Sequence, residues 1–189
     1  MKSKFLPVVE KYDGSQLVSL RNYLKYGLLG DSIVAWVGPC DVSLDHMVDG
    51  EDLVAGAEIR GGSMLHFIVE KFDSTLLAAV GLQRLLASVV RDELAVSGDV
   101  PLVKGLVREG DDIYSADRRK LSISIATQSP VSSLIHFAVN VTNEGTPVKT
   151  LSLGDLKVEP KAFAEKILSK FCSEVDGIVE ATQKVRWVK

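Results

Sequence analysis

The sequence predicts an α+β fold, a mostly antiparallel central sheet flanked by helices, and three observations predict it. Apolar and polar residues alternate along residues 63–72, 120–127 and 131–142, which is the period of strands. Two other stretches, one after Asp73-Ser74 and one after Pro160, repeat their apolar residues at helical spacing. Strands grouped in blocks, with a helix between them and a helix at each end, bury their faces as layers of an α+β domain.

The elements follow in order. Residues 15–26 carry Leu17, Leu20 and Leu24 at helical spacing, with Gly27 as a stop. Residues 32–37 form a short apolar strand closed by Gly38-Pro39. The acidic residues 41–62 read as a loop with one helical turn near 51–55, and residues 63–72 as a strong strand. Asp73-Ser74 then starts a helix whose Leu76, Leu77, Val80, Leu86, Val89, Val90 and Leu94 cover more than half its circumference, so most of it packs on the sheet. Residues 101–108 and 112–115 read as strands around the turn Glu109-Gly110-Asp111. Residues 120–127 and 131–142 form a hairpin through Gln128-Ser129-Pro130. Pro160 suits a first helical position, and Phe163, Ile167, Phe171, Val175, Ile178 and Val179 stripe the last helix.

Length and composition narrow the classes. A chain of 189 residues, 46% apolar and 25% charged, is expected to be one globular domain, residues 1–189. A net charge of −3 argues against a nucleic-acid or anionic-membrane partner held by bulk charge. Residues 121–143 lack Asp, Glu, Lys and Arg, yet Pro130, the serines and strand alternation argue against a membrane span. No signal-peptide pattern opens the chain, so a cytoplasmic protein is expected. Cys40 and Cys172 lie in no zinc or Cys-x-x-Cys spacing. Cys172 falls on the last helix's apolar stripe, and Cys40 sits at a strand end where it could be exposed and reactive.

Strand parity points to a site. Met64, His66, Ile68 and Glu70 share one face, as do Leu134, His136, Ala138 and Asn140. Lys120, Ser122, Ser124 and Ala126 alternate against Leu121, Ile123 and Ile125. If the fully apolar set of each strand faces the helices, the imidazoles, Glu70, Lys120, Asn140 and the two serines share the opposite face. Small serines beside histidines leave a cleft there, and a cleft with converging polar groups is the default ligand site. The plainer reading is that a histidine in an apolar strand is a hydrogen-bonded structural residue, and that Lys120 is a solvated edge charge. A metal site from His66, His136 and Glu70 or Cys40 is the third reading, without any ligand-spacing motif behind it; no metal ligand is assigned.

Three stretches resemble the biotin and lipoate protein ligase superfamily, whose catalytic domain shares its fold with class II aminoacyl-tRNA synthetases. Asp111-Asp112-Ile113-Tyr114 followed by Arg119-Lys120-Leu121-Ser122 is similar to the family's hairpin, in which a lysine contacts the acyl carboxylate and the adenylate; Lys120 takes its place. Residues 135–141, Ile-His-Phe-Ala-Val-Asn-Val, are similar to the following strand. Arg60-Gly61-Gly62 with His66 resembles the lipoate-ligase loop that wraps acyl tail and nucleotide. Over nearly the whole chain, stretches such as Tyr12-Asp13-Gly14-Ser15, Gly38-Pro39-Cys40-Asp41-Val42 and residues 47–53 resemble the family called domain of unknown function 366.

The resemblance implies a ligase-like scaffold, and two functions from different classes follow. The first is an acyl- or carboxylate-transferring enzyme; its cofactor is unknown from the sequence, ATP being the candidate the resemblance offers. Lys120 would hold a carboxylate or phosphate, Arg60 with the Gly61 and Gly62 amides a phosphate or the acid, and His66 or His136 would act as general base or position the substrate. Ser122, Ser124, Glu70 and Asn140 would complete the substrate contacts. The second is a non-catalytic small-molecule-binding or regulatory protein, which the lack of the biotin-ligase G-R-G-R-x-G-R loop favours. A small-molecule partner and a homodimer formed through sheet edges are expected, with no nucleic acid and no membrane.

Overall fold

The computed structural model describes residues 1–98 and 100–188. Its strands are β1 (Lys2–Phe5), β2 (Ser32–Val42), β3 (Ile59–Phe72), β4 (Val107–Glu109), β5 (Asp112–Tyr114), β6 (Ser122–Gln128) and β7 (Ser132–Asn140). Its helices are α1 (Arg21–Tyr26), α2 (Gly50–Ala55), α3 (Leu76–Ser97), α4 (Val100–Val103) and α5 (Pro160–Gln183), with a 3-10 turn at Leu44–His46. One sheet runs β1-β2-β3-β7-β6, antiparallel except for the parallel pair β1–β2, and β4–β5 form a separate hairpin.

The sheet separates two apolar layers. Toward α3 and α5 it presents Ile33, Ala35, Leu65, Phe67, Val69, Ile135, Phe137 and Val139. These meet Leu86, Val90 and Leu94 of α3 and Phe163, Ile167, Phe171 and Val175 of α5. On the other face Val34, Trp36, Met64, Ile68 and Ala138 pack under Leu6, Tyr12 and Leu17. The α3 cap is Thr75, whose hydroxyl accepts the Ala78 N–H, rather than Asp73-Ser74, and Leu76 and Leu77 stay exposed. At α5 Glu159 caps and Pro160 opens the helix as its fixed φ favours; Ile178 and Val179 are exposed beyond the packed stripe.

Several elements differ from the sequence reading, β3 among them, since it begins at Ile59 inside the stretch read as a loop. The first helix covers only Arg21–Tyr26, because Leu20 has φ 64° and its N–H is taken by the Glu70 carboxylate, 2.7 Å away. Arg21 and Asn22 are the buried residues of that helix, and Leu24 is exposed. Gly38-Pro39 does not end β2 but makes a bulge, a position where a strand tolerates proline. Residues 101–108 are not one strand: Pro101, lacking an N–H, sits in the first turn of α4, and only Val107–Glu109 is extended. β1, the short edge strand, escaped notice because Lys2 and Lys4 mask its pattern.

A polar clamp joins the two long helices. The Glu93 carboxylate of α3, almost wholly buried, lies 2.9 Å from Lys166 Nζ and 2.6 Å from Lys170 Nζ of α5, and accepts the Ser97 hydroxyl. Burial pushes its carboxyl up, but the bonds from Lys170, Ser97 and Lys166 outweigh that and hold it at about 2. A depressed carboxylate stabilises the fold above its unfolded value and ceases to as pH falls through its folded one. Glu93→Gln is therefore expected to cost roughly 1–2 kcal/mol at pH 7, the lysines being half exposed. The cost should fade between about pH 5 and 2, as denaturant titrations across that range would record. An equal deficit at pH 7 and pH 3 would sink this assignment.

Candidate functional site

The second face of the sheet carries the candidate site. β3 and β7 pair with His66 opposite Ala138 and His136 opposite Ile68, so the two imidazoles lie diagonally on one face. They touch: His66 Nδ1 is 3.1 Å from His136 Nε2, and His66 Nε2 is 3.1 Å from the Gly38 carbonyl oxygen. Trp36, opposite His66 on β2, stacks beside it with centroids 5.0 Å apart. Tyr12 lies flat on His136 at 3.6 Å and 9°. The bulge positions Tyr12, since its N–H donates to the Pro39 carbonyl and its own carbonyl accepts from Asp41. Burial keeps both imidazoles neutral, holding His66 at about 4 and His136 well below the ordinary range, with the neighbouring His66 adding to the latter.

β6 reverses the parity read from the sequence. Ile123 pairs with Ala138 and Ile125 with His136, while Ser122 pairs with Val139 and Ser124 with Phe137. Directly paired residues share a face, so the isoleucines join the histidines and the serines face α3. The serines are satisfied there. Ser122 Oγ accepts the Ile113 N–H; Ser124 donates to Asp111 Oδ2 at 2.7 Å and accepts from Gln83 of α3 at 2.8 Å. Gln83, with Glu93 a buried polar residue of α3, is the signal that could have set the register.

Lys120 precedes β6 and follows its own geometry. Its backbone bridges to Tyr114 and Thr150, and the Asn140 amide donates to its carbonyl and to that of Leu151. Its ammonium is 2.7 Å from Asp112 Oδ2. Burial pulls that ammonium down, but the Asp112 hydrogen bond and charge outweigh it and raise it above its ordinary value.

These groups border a cavity of about 330 Å³. The sheet side offers Tyr12, Ile123, Ile125 and His136, and Ser124 with Asp111, Asp112 and Lys120 closes one flank. Val42 and Ile59, paired at the ends of β2 and β3, extend the sheet side, and the rest of the lining is His46, Met47 and Val48, with Asp49, Glu51 and Asp52 from the α2 turn, a helix that buries none of its residues. Asp49 caps α2 by accepting the Glu51 and Asp52 N–H groups. Five carboxylates thus line the cavity beside one ammonium.

The structure brings together only some of the residues singled out from the sequence. His136, Lys120 and Ser124 line the cavity, and His66 touches it through His136. Arg60 is half exposed and paired with Glu58 at 2.8 Å, away from the lining. Gly61 pairs with Cys40 on β2, and the Gly62 N–H is spent on the Glu144 carbonyl at 2.8 Å. Glu70 lies farther along β3, accepting from Leu20 and from the Ser132 hydroxyl. Cys40 is buried, which pushes its thiol up to about 12, and its sulfur faces the Ile59 carbonyl, so it is not a reactive thiol. Among the described residues, no three His, Cys, Asp or Glu side chains are grouped to hold a metal ion. Tyr12, Asp111 and the acidic α2 turn were not read as site residues; the aromatic in Tyr12-Asp13-Gly14 and the paired aspartates were the available signals.

The model of the family "Domain of unknown function (DUF366)" matches residues 1–186. The chain belongs to the DUF366 family. A structure of a protein of unknown function from Pyrococcus horikoshi is 38% identical to this DUF366 protein, covers 100% of it and 99% of its own chain, and superimposes with a TM-score of 0.92. A biotin protein ligase variant from Aquifex aeolicus in complex with biotin is 13% identical over 93% of the DUF366 protein and 70% of the ligase, with a TM-score of 0.59. Ta0514 from T. acidophilum, assigned as a lipoate protein ligase and carrying bound lipoic acid, is 16% identical over 92% and 85% of the two chains, with a TM-score of 0.50. At such identities the likeness establishes the fold: the DUF366 protein has the α+β architecture of biotin and lipoate ligase catalytic domains. No helix among its described residues is long and apolar enough to cross a membrane.

Proposed function

We propose that this DUF366 protein is a small-molecule-binding protein whose ligand lies in the cavity over β6 and β7, its apolar body on Ile123, Ile125 and Ile59 and its polar head at Lys120 and Asp112. The observation that carries the reading is the Lys120–Asp112 ion pair, 2.7 Å long, set in the wall of a cavity whose sheet side also presents Ile123 and Ile125. A paired ammonium and carboxylate offer a donor and an acceptor to a single head group, such as a carboxylate, amide or alcohol. Five lining carboxylates disfavour a polyphosphate, and Arg60 and Gly62 are engaged elsewhere, so binding without nucleotide is favoured over adenylation.

The second reading is carboxylate or acyl transfer. It is favoured by the position of Lys120 on the hairpin whose sequence resembles the ligase lysine motif, with a neutral imidazole in the same cavity wall. Thermal-shift screening with small carboxylates, amides and alcohols, each with and without ATP, separates the two. Binding alone gives stabilisation without ATP; at a hundredfold excess over Kd it amounts to about 2.7 kcal/mol, several degrees of Tm. Transfer gives a larger shift with acid and ATP together than with either. Lys120→Met is expected to weaken binding of the best compound at least about tenfold, a lost charge-assisted hydrogen bond. Unchanged affinity in that variant, or no stabilising compound at all, would refute the cavity reading.

A further inference from the structure

We propose that His136 Nδ1 is a fixed hydrogen-bond acceptor in the cavity wall, and that the bound molecule presents an N–H or O–H donor to it, as a primary or cyclic amide or an alcohol does. This rests on the small-molecule reading above and specifies the chemistry of the ligand at one point of the cavity.

The direction of the hydrogen bonds fixes the acceptor. The Gly38 carbonyl can only accept, so the His66 nitrogen facing it, Nε2, carries the proton. A neutral ring holds one proton, which leaves His66 Nδ1 bare and makes His136 Nε2–H the donor of the 3.1 Å contact. His136 then has its own Nδ1 bare. No hydrogen bond from the described residues reaches that atom, whereas among those residues the buried side-chain atoms without a partner are Arg21 Nη1 and Asn22 Oδ1 alone. His136 Nδ1 is thus unpartnered without being sealed, and the space its residue borders is the cavity. Tyr12 stacked on one side of the ring holds its plane. A carboxylate at this point would set a lone pair against a lone pair. A donor completes the relay from Gly38 through both rings.

The test uses the intact protein labelled with 15N-histidine. Long-range 1H–15N spectra at pH 7 are expected to show both rings protonated at Nε2 and bare at Nδ1; a proton on His136 Nδ1 would overturn the proposal. Benzamide and N,N-dimethylbenzamide then probe the cavity, and the amide that retains its N–H groups should bind about tenfold tighter. His136→Phe keeps a ring under Tyr12 and should erase that preference. Equal binding of the two amides to the wild-type protein overturns the proposal whether or not the variant folds. If the screen finds Lys120-dependent ligands and N-methylation changes nothing, the cavity reading stands and the acceptor falls. If no compound binds at all, both fall.

Discussion

Gly38→Ala is expected to destabilise the protein by about 3 kcal/mol and to lower Tm by roughly 6–12 °C, the upper range for overpacking a closed interior. A Cβ built on Gly38 lies 2.1 Å from the Glu10 carbonyl oxygen and 2.9 Å from its carbon, a backbone-on-backbone clash that no rotamer relieves. The segment through Glu10 is fixed from three sides. Trp36 Nε1 donates to the Glu10 carbonyl at 2.8 Å, the Glu10 carboxylate pairs with Arg21 and Lys25, and Leu6 and Tyr12 bond to the β2 backbone. Making room for one methyl would lift that segment and shift Tyr12 from the ring of His136, so ligand binding should weaken with stability. Gly81, in α3 with nothing near its would-be Cβ, serves as the control. Alanine there should be neutral or stabilising by up to about 1 kcal/mol. Equal effects at the two positions, measured by denaturant unfolding, would discard the explanation.

His66→Ala is expected to cost about 3–5 kcal/mol, more than His136→Ala. Losing the His66 ring strips the Gly38 carbonyl and the His136 Nε2–H of their partners in a fully buried place, and leaves a void besides. Losing the His136 ring orphans only His66 Nδ1 and opens onto a cavity. The pH dependence carries a sign. His66 titrates at about 4 in the folded chain against an ordinary 6.5. The unfolded state therefore binds the extra proton first, and the contribution of the neutral ring is present above about pH 6.5 and lost as pH falls toward 4. The alanine variant should lack that part of the acid slope. A reversed order of costs, or an unchanged slope between pH 7 and 4, would mean that the relay does not run as drawn.

The legible parts of this fold are those where burial decides the pattern. β3 and β7 are central strands whose odd and even residues meet different layers, so their parity could be read directly, and with it the shared face of His66 and His136. The α5 stripe was legible for the same reason. β6 was not, because it is an edge strand and its helix side is met by the polar Gln83, which makes serine as acceptable there as isoleucine is over the site. Parity also says nothing of Lys120, which stands before the regular strand and reaches the cavity through its bridges to Tyr114 and Thr150. Arg60, Gly61 and Gly62 were chosen by likeness to a loop, and likeness does not report that Glu58 and Glu144 engage two of them. Tyr12 was beyond reach because its place over His136 depends on the Gly38-Pro39 bulge, a contact between segments distant in sequence.

The two walls of the cavity differ in how firmly they are anchored. One wall is carried by the sheet, and the amides of its interior strand β7 should exchange with deuterium only when the whole molecule opens, those of the edge strand β6 sooner. The other includes α2, a six-residue helix with no interior side chain, and can open alone at small free-energy cost. A ligand of the kind proposed above would therefore meet one firm side and one loosely anchored side at α2, and the ordering of α2 on binding would lengthen its residence time.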